Sequence, residues 1–182
     1  MPGKRAVRDI LEHIGENPDR EGLLETPDRV VRSWEELFCG YKTNVEKIFK
    51  TFDEHEHNFN QIVLLKDIEL YSMCEHHMLP FIGKAHVAYI PDRRVIGISK
   101  LARLVDAFAR RMQLQERIGE QVTDALMDHL APKGAACIIE AHHLCMRMRG
   151  VQKQHSTMVT SSIKGAFLDN PATRAELMGM IK

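Results

Sequence analysis

Residues 62–73 read IVLLKDIELYSM, and their apolar period is two. Ile68, Leu70 and Ser72 fall on one side of an extended chain, and Glu69, Tyr71 and Met73 on the other. The pattern predicts a strand over Ile62–Met73 with one face buried. A second strand is predicted over Gly83–Ile90, and the run Pro91 to Arg94 supplies the turn after it. The period then lengthens. Ser99 is a suitable N-cap for a helix bearing Leu101, Leu104, Val105 and Phe108. A second helix runs from about Leu114 to Leu130 on a stripe of Ile118, Val122 and Leu126, and Pro132 to Gly134 ends it. Two more strands, roughly Ala136–Met148 and Thr157–Phe167, precede a short helix capped by Asn170 and Pro171.

The order after residue 60 is therefore β-β-α-α-β-β, an α+β layout with helices on one face of an antiparallel sheet. Residues 61–182 read as the main domain and residues 1–60 as a helical N-terminal region. In that region Val7, Ile10, Leu11 and Ile14 keep helical spacing up to Gly15. Thr26 and Pro27 serve as N-cap and first turn of a helix carrying Val30, Val31, Trp34, Leu37 and Phe38, with Gly40 as its stop. The polar run Asp53–Asn60 reads as a loop. Its His55 and His57 resemble a metal pair, but a solvated loop accounts for them more simply.

Charge is balanced, with 25 Lys and Arg against 25 Asp and Glu in 182 residues. That excludes a general nucleic-acid or membrane-surface binder. No apolar run reaches the roughly 20 residues of a membrane span, and the charged opening MPGKRAVRD lacks the apolar core of a signal peptide. The expectation is a cytoplasmic protein whose four cysteines are reduced thiols.

The chemistry concentrates at residues 72–80, SMCEHHMLP, where a thiol, a carboxylate and two imidazoles are consecutive. Thiolate and imidazole are preferred zinc donors, and Cys74 and His77 have a usable ligand spacing. A second cluster, AHHLC, ends at Cys145. On an extended chain His143, Cys145, Arg147 and Arg149 share one face, which no buried apolar strand would carry. Cys74, His77 and one of Cys145 or His143 then make three donors, the number that leaves a catalytic zinc an open position for water. Spare imidazoles beside it suit acid–base chemistry. Ser99 and Lys100 open a helix and Arg103 lies one turn on, so with Arg147 and Arg149 the chain has a phosphate-sized set of cations.

The segments CEHHMLPF, VIGISKLAR, QERIGEQ and HHLCMRMRGVQK, in that order, with ETPDRV upstream, resemble zinc-dependent GTP cyclohydrolase I. The likeness covers nearly the whole chain from Thr26 on. It implies a tunnelling fold with added N-terminal helices, and a homodecamer of two pentameric rings with sites between neighbouring subunits. It also implies conversion of GTP and water to 7,8-dihydroneopterin triphosphate and formate, the entry step to folate or other pteridines. By position, Cys74, His77 and Cys145 match zinc ligands, and His143 and His76 match acid–base residues. Gln115 and Glu116 match the guanine-reading pair, and Ser99 a ribose contact. Lys100, Arg103 and Arg149 match triphosphate contacts, to which Arg29 and Arg32 add from a neighbouring chain. Arg147 is not required by the pattern, and Glu75 and His142 are assigned no role. The rival readings are a structural zinc module, which needs a fourth closed ligand, and another tunnelling-fold enzyme acting on a purine or pterin, which needs a different nucleophile or an all-histidine metal site.

Overall fold

Two helices dominate the first of the two units into which the chain divides, Met1–Cys39; the second unit is Gly40–Lys182. The structure is a computed structural model that describes residues 2–49, 51–53 and 59–182. His55 and His57 lie outside the described residues. In the first unit α1 spans Pro2–His13 and α2 spans Thr26–Leu37. Val7 is buried, while Ile10 and Ile14, on the same predicted stripe, stay exposed. Gly15 breaks the helix in the left-handed region, at φ 85°. Thr26 is the first residue of α2 rather than its cap; Glu25 holds the cap position and Pro27 lies in the first turn.

The second unit runs β1 (Thr51–Asp53), β2 (Val63–Cys74), β3 (Pro80–Ile90), β4 (Arg94–Ile96), α3 (Ile98–Ala109), β5 (Met112–Gln113) and α4 (Gln115–Leu130). It continues with β6 (Gly134–His143), α5 (Leu144–Arg147), β7 (Met158–Gly165), α6 (Ala166–Asp169) and α7 (Pro171–Ile181). Five strands form one sheet in the order β5-β2-β3-β6-β7, antiparallel except for the short β2–β5 pairing. β1 and β4 make a separate ribbon. The architecture is mixed α+β, as the alternation of periods predicts.

One sheet face meets α3 and α4, where Leu70, Phe81, Val87 and Ile139 pack against Leu104, Val105, Ile118 and Leu126. The opposite face is covered at one end by Phe167 and Leu177 of α6 and α7, over Ala88, Ile90, Ala136 and Ile138. Helices therefore lie on both faces, not one. This explains why residues Ala85–Ile90 of β3, His86 included, are all buried.

Other boundaries differ from expectation: β3 begins at Pro80 rather than Gly83, and β7 ends at Gly165, which leaves Phe167 in α6. Gly97, not Ser99, is the N-cap of α3, so Ser99 sits in its first turn. β6 stops at His143 instead of reaching Met148, and the chain turns at once into α5. The cause lies across the sheet. The partner strand β3 begins at Pro80, and Phe81 opposite His143 is the last pair of the ladder. Pro80 has no N–H to extend it. Asn170 does cap α7, its side chain accepting from the Ala172 and Thr173 amides at 2.9 and 3.4 Å.

Candidate metal centre and active site

Cys74 is the last residue of β2, and a tight turn folds the chain back behind it. Its N–H donates to Leu79 O, and Met78 N–H donates to Cys74 O, both at 2.9 Å. Met78 takes the left-handed conformation, φ 53°, that this reversal needs. The turn brings His77 Nδ1 to 3.8 Å from Cys74 Sγ. Cys145, delivered by α5 from the other side, completes a group whose ligand atoms all lie within 4.8 Å of one another. Tetrahedral zinc, with bonds of about 2.3 Å to sulfur and 2.0–2.1 Å to nitrogen, needs donors roughly 3.6–3.8 Å apart. The triangle fits zinc with small closure, and its two thiols and imidazole are the donors zinc prefers. Burial and the neighbouring Cys74 thiol push the Cys145 thiol up. No disulfide is present among the described residues.

His143 ends β6 beside this triangle and is held from two directions. Its ring stacks on Phe81, centroids 4.5 Å apart. Its Nε2 lies 2.9 Å from Gln115 Oε1. The Gln115 amide nitrogen donates to Ile139 O, Met158 O and Thr160 Oγ1 at 3.0–3.1 Å, which fixes which way the amide points. Its oxygen must therefore accept, so His143 carries hydrogen on Nε2 and leaves Nδ1 as the acceptor of the neutral ring. Burial lowers the His143 pKa against the opposing pull of Glu116, favouring that neutral form.

A cavity of about 200 Å³ joins these groups; Cys74, His76, His77, Gln115, Glu116, His143 and Cys145 all line it. Seven residues picked out in the sequence thus meet at one place. Arg149 adjoins them, its Nη1 3.2 Å from His77 Nε2. Ser99, Lys100 and Arg103 do not line the cavity; Ser99 and Arg103 are exposed on the first turns of α3, and Lys100 is half-buried. Arg29 and Arg32 belong to α2 in the other unit, where Arg29 pairs with Glu25 at 2.5 Å. The expected strand face through Cys145, Arg147 and Arg149 does not exist, because those residues follow the end of β6. Arg147 is occupied locally, with His142 Nδ1 and Ser156 O.

Some lining residues carried no signal in the sequence. Gln113, Leu114, Met146 and Met158 complete the wall. Met is so common in cores that its type alone points nowhere. Gln113 is 2% exposed and bonds Phe108 O and Gln121 Oε1 at 2.9 and 2.7 Å. Glu75 does face away from the cavity, and it is not idle. Arg117 grips its carboxylate through both Nη atoms, at 2.5 and 3.0 Å, and these bonds hold the Glu75 carboxyl below the usual range.

Fold and site together define an α+β protein with a Cys–His–Cys group able to hold a metal, set beside a neutral histidine and a carboxylate. A sequence model of the GTP cyclohydrolase I family matches residues 3–182. The GTP cyclohydrolase 1 of Thermoanaerobacter pseudethanolicus is 57% identical over 98% of this chain and 94% of its own. That of Campylobacter jejuni is 53% identical over 96% and 92%. The chain belongs to the GTP cyclohydrolase I family. Among solved structures, the apo archaeosine synthase QueF-Like aligns with TM-score 0.48 and 17% identity over 58% of this chain and 94% of that one, too partial a likeness to carry an argument.

Proposed function

We propose that this chain converts GTP and water to 7,8-dihydroneopterin triphosphate and formate, using zinc held by Cys74, His77 and Cys145. The observation that carries the reading is the convergence of that donor triangle with His143 and Glu116 on one cavity. Bound there, zinc supplies a Lewis acid that brings a coordinated water's pKa close to neutrality. The remaining work falls to the chain. His143, its Nε2–H fixed on Gln115, exchanges a proton at purine N-7 through the other ring nitrogen, and His76 is the second acid–base group during ring opening. Glu116 accepts from the guanine N-1–H and 2-amino group. Gln115, expected to share that reading, acts through His143, since its amide is fully engaged and 1% exposed.

Arg149 contacts the triphosphate. Lys100 and Arg103 join it, with Ser99 at the ribose, in an assembly where neighbouring chains complete each site and Arg29 and Arg32 add charge. That assembly is the decamer of two pentamers, with residues 61–182 as a tunnelling-fold catalytic domain and residues 1–60 as the helical region that precedes it in sequence. The setting is cytoplasmic pteridine or folate synthesis; among the described residues no helix is long and apolar enough to cross a membrane. Incubating zinc-loaded protein with GTP tests the reading. Formate and an oxidisable, fluorescent pterin are expected in equal amounts. Stoichiometric zinc with neither product overturns it.

A further inference from the structure

The turn that carries His77 is tied to the rest of the site at a point outside the cavity. Glu75 follows Cys74 directly, and its N–H donates to Gln113 O at 3.1 Å, extending the short β2–β5 pairing by one residue. Its carboxylate meets both Nη atoms of Arg117, in the first turn of α4. Arg117 Nη1 also reaches Gln113 Oε1, at 3.4 Å. Between Gln113 and Arg117 lie Gln115 and Glu116, which face the cavity. The start of α4 is thus held to His143 on one side and to the ligand turn on the other.

Stability alone does not require this arrangement. Both side chains are partly exposed, at 41% and 30%, so solvent screens what the pair contributes to folding. A cation in the first turn of a helix also opposes the helix dipole. What the paired geometry does supply is direction, because two parallel N–H···O bonds fix both distance and angle. We propose that Glu75 and Arg117 form a positioning clamp, which sets the Cys74–His77 turn against the α4 segment that holds His143 and reads the base. The inference rests on the function proposed above, but its first consequence concerns metal alone. Partners one step behind metal ligands typically change metal affinity or activity by roughly 10–100-fold when removed.

The test measures zinc affinity by competition with a chromophoric chelator, without GTP, in Arg117→Ala, Glu75→Gln, Arg117→Lys and the swapped pair Glu75→Arg with Arg117→Glu. The Ala and Gln variants should bind zinc roughly 10–100-fold more weakly. Arg117→Lys, which keeps the charge and loses the fork, should fall between, and the swap should recover most of the loss. With zinc saturating, kcat for GTP should fall in the single variants while KM changes little. Parent-like zinc affinity in the single variants overturns the clamp, and so does a swapped pair no better than they are. If Arg117→Ala does not fold, Arg117→Lys against the swap decides the same question. A parent protein that binds zinc but leaves GTP untouched would sink the proposed function and leave the zinc comparison intact.

Discussion

The imidazole of His143 lies nearly parallel to the ring of Phe81, at 6° and 4.5 Å, and the two are direct partners across β3 and β6. Phe81 is fully buried, so the stack roots a cavity residue in the core. The same ladder pair marks where β6 ends and the turn toward Cys145 begins. One contact thus sets both the ring plane of His143 and the point where the chain departs toward Cys145.

Metal and proton transfer should separate by mutation. Cys145→Ser replaces a thiolate with a poor zinc donor and should lose metal and formate release together. His143→Ala should keep stoichiometric zinc and lose roughly 10²–10⁴-fold in turnover. Metal analysis of both purified proteins checks this; a zinc-free His143→Ala would make that residue a ligand.

Gln115→Leu removes four polar contacts from a site 1% exposed. The expected destabilisation is about 1–3 kcal/mol, from polar groups left buried without partners. Turnover should drop as well, because nothing then fixes the hydrogen on His143 Nε2. Denaturant unfolding and nitrogen NMR of the ring read the two effects separately. An unchanged His143 tautomer would show that the amide only fills space.

Glu116→Ala should fold and hold zinc yet lose GTP turnover and much of its preference among bases. Guanine offers two adjacent donors to a carboxylate, whereas adenine presents a bare acceptor at N-1. Sites built on such bonds reject an analogue lacking them by roughly 10⁴-fold or more. Competition binding should rank GTP above ITP above ATP in the parent. The same ranking in the variant would mean that the base is read elsewhere.

Arg149→Ala and Lys100→Ala should weaken GTP binding far more than guanosine binding, since their charge acts only on phosphate. Calorimetry with both ligands decides. Equal losses would assign these cations to the fold.

A methyl group on Gly83 would sit 1.9 Å from Glu140 O, in the β3–β6 ladder two residues from Phe81. Gly83→Ala should therefore cost about 1–3 kcal/mol by overpacking. It should also lower zinc occupancy by parting the strands that carry Phe81 and His143. Thermal unfolding with metal analysis tests both; full occupancy would show that the distortion stays local.

What the sequence made legible was local. The period of residues 62–73 locates β2, and the spacing of Cys74 and His77 survives because a tight local turn brings the two side chains together. The stripe of Ile118, Val122 and Leu126 places α4 to within a residue. What failed depended on distant partners. Alternation through Cys145, Arg147 and Arg149 looked like strand, but a strand needs a neighbour, and β3 begins at Pro80. Nothing near Phe167 or Leu177 reveals that they cover the second face of the sheet. Glu75 looked idle because its partner Arg117 is 42 residues away. Gln115 drew attention through its motif, and only its burial shows that its amide is spent on His143.

β3 is paired on both sides and, over Ala85–Ile90, covered on both faces. Its amide hydrogens can exchange with solvent only when the whole unit opens. Residues 148–157, by contrast, are all exposed, and Arg149 is among them. The two ends of the site therefore keep different time. Deuterium would enter the segment around Arg149 early and the stretch Ala85–Ile90 last, so the exposed segment that carries Arg149 can rearrange many times before the ladder that seats His143 opens.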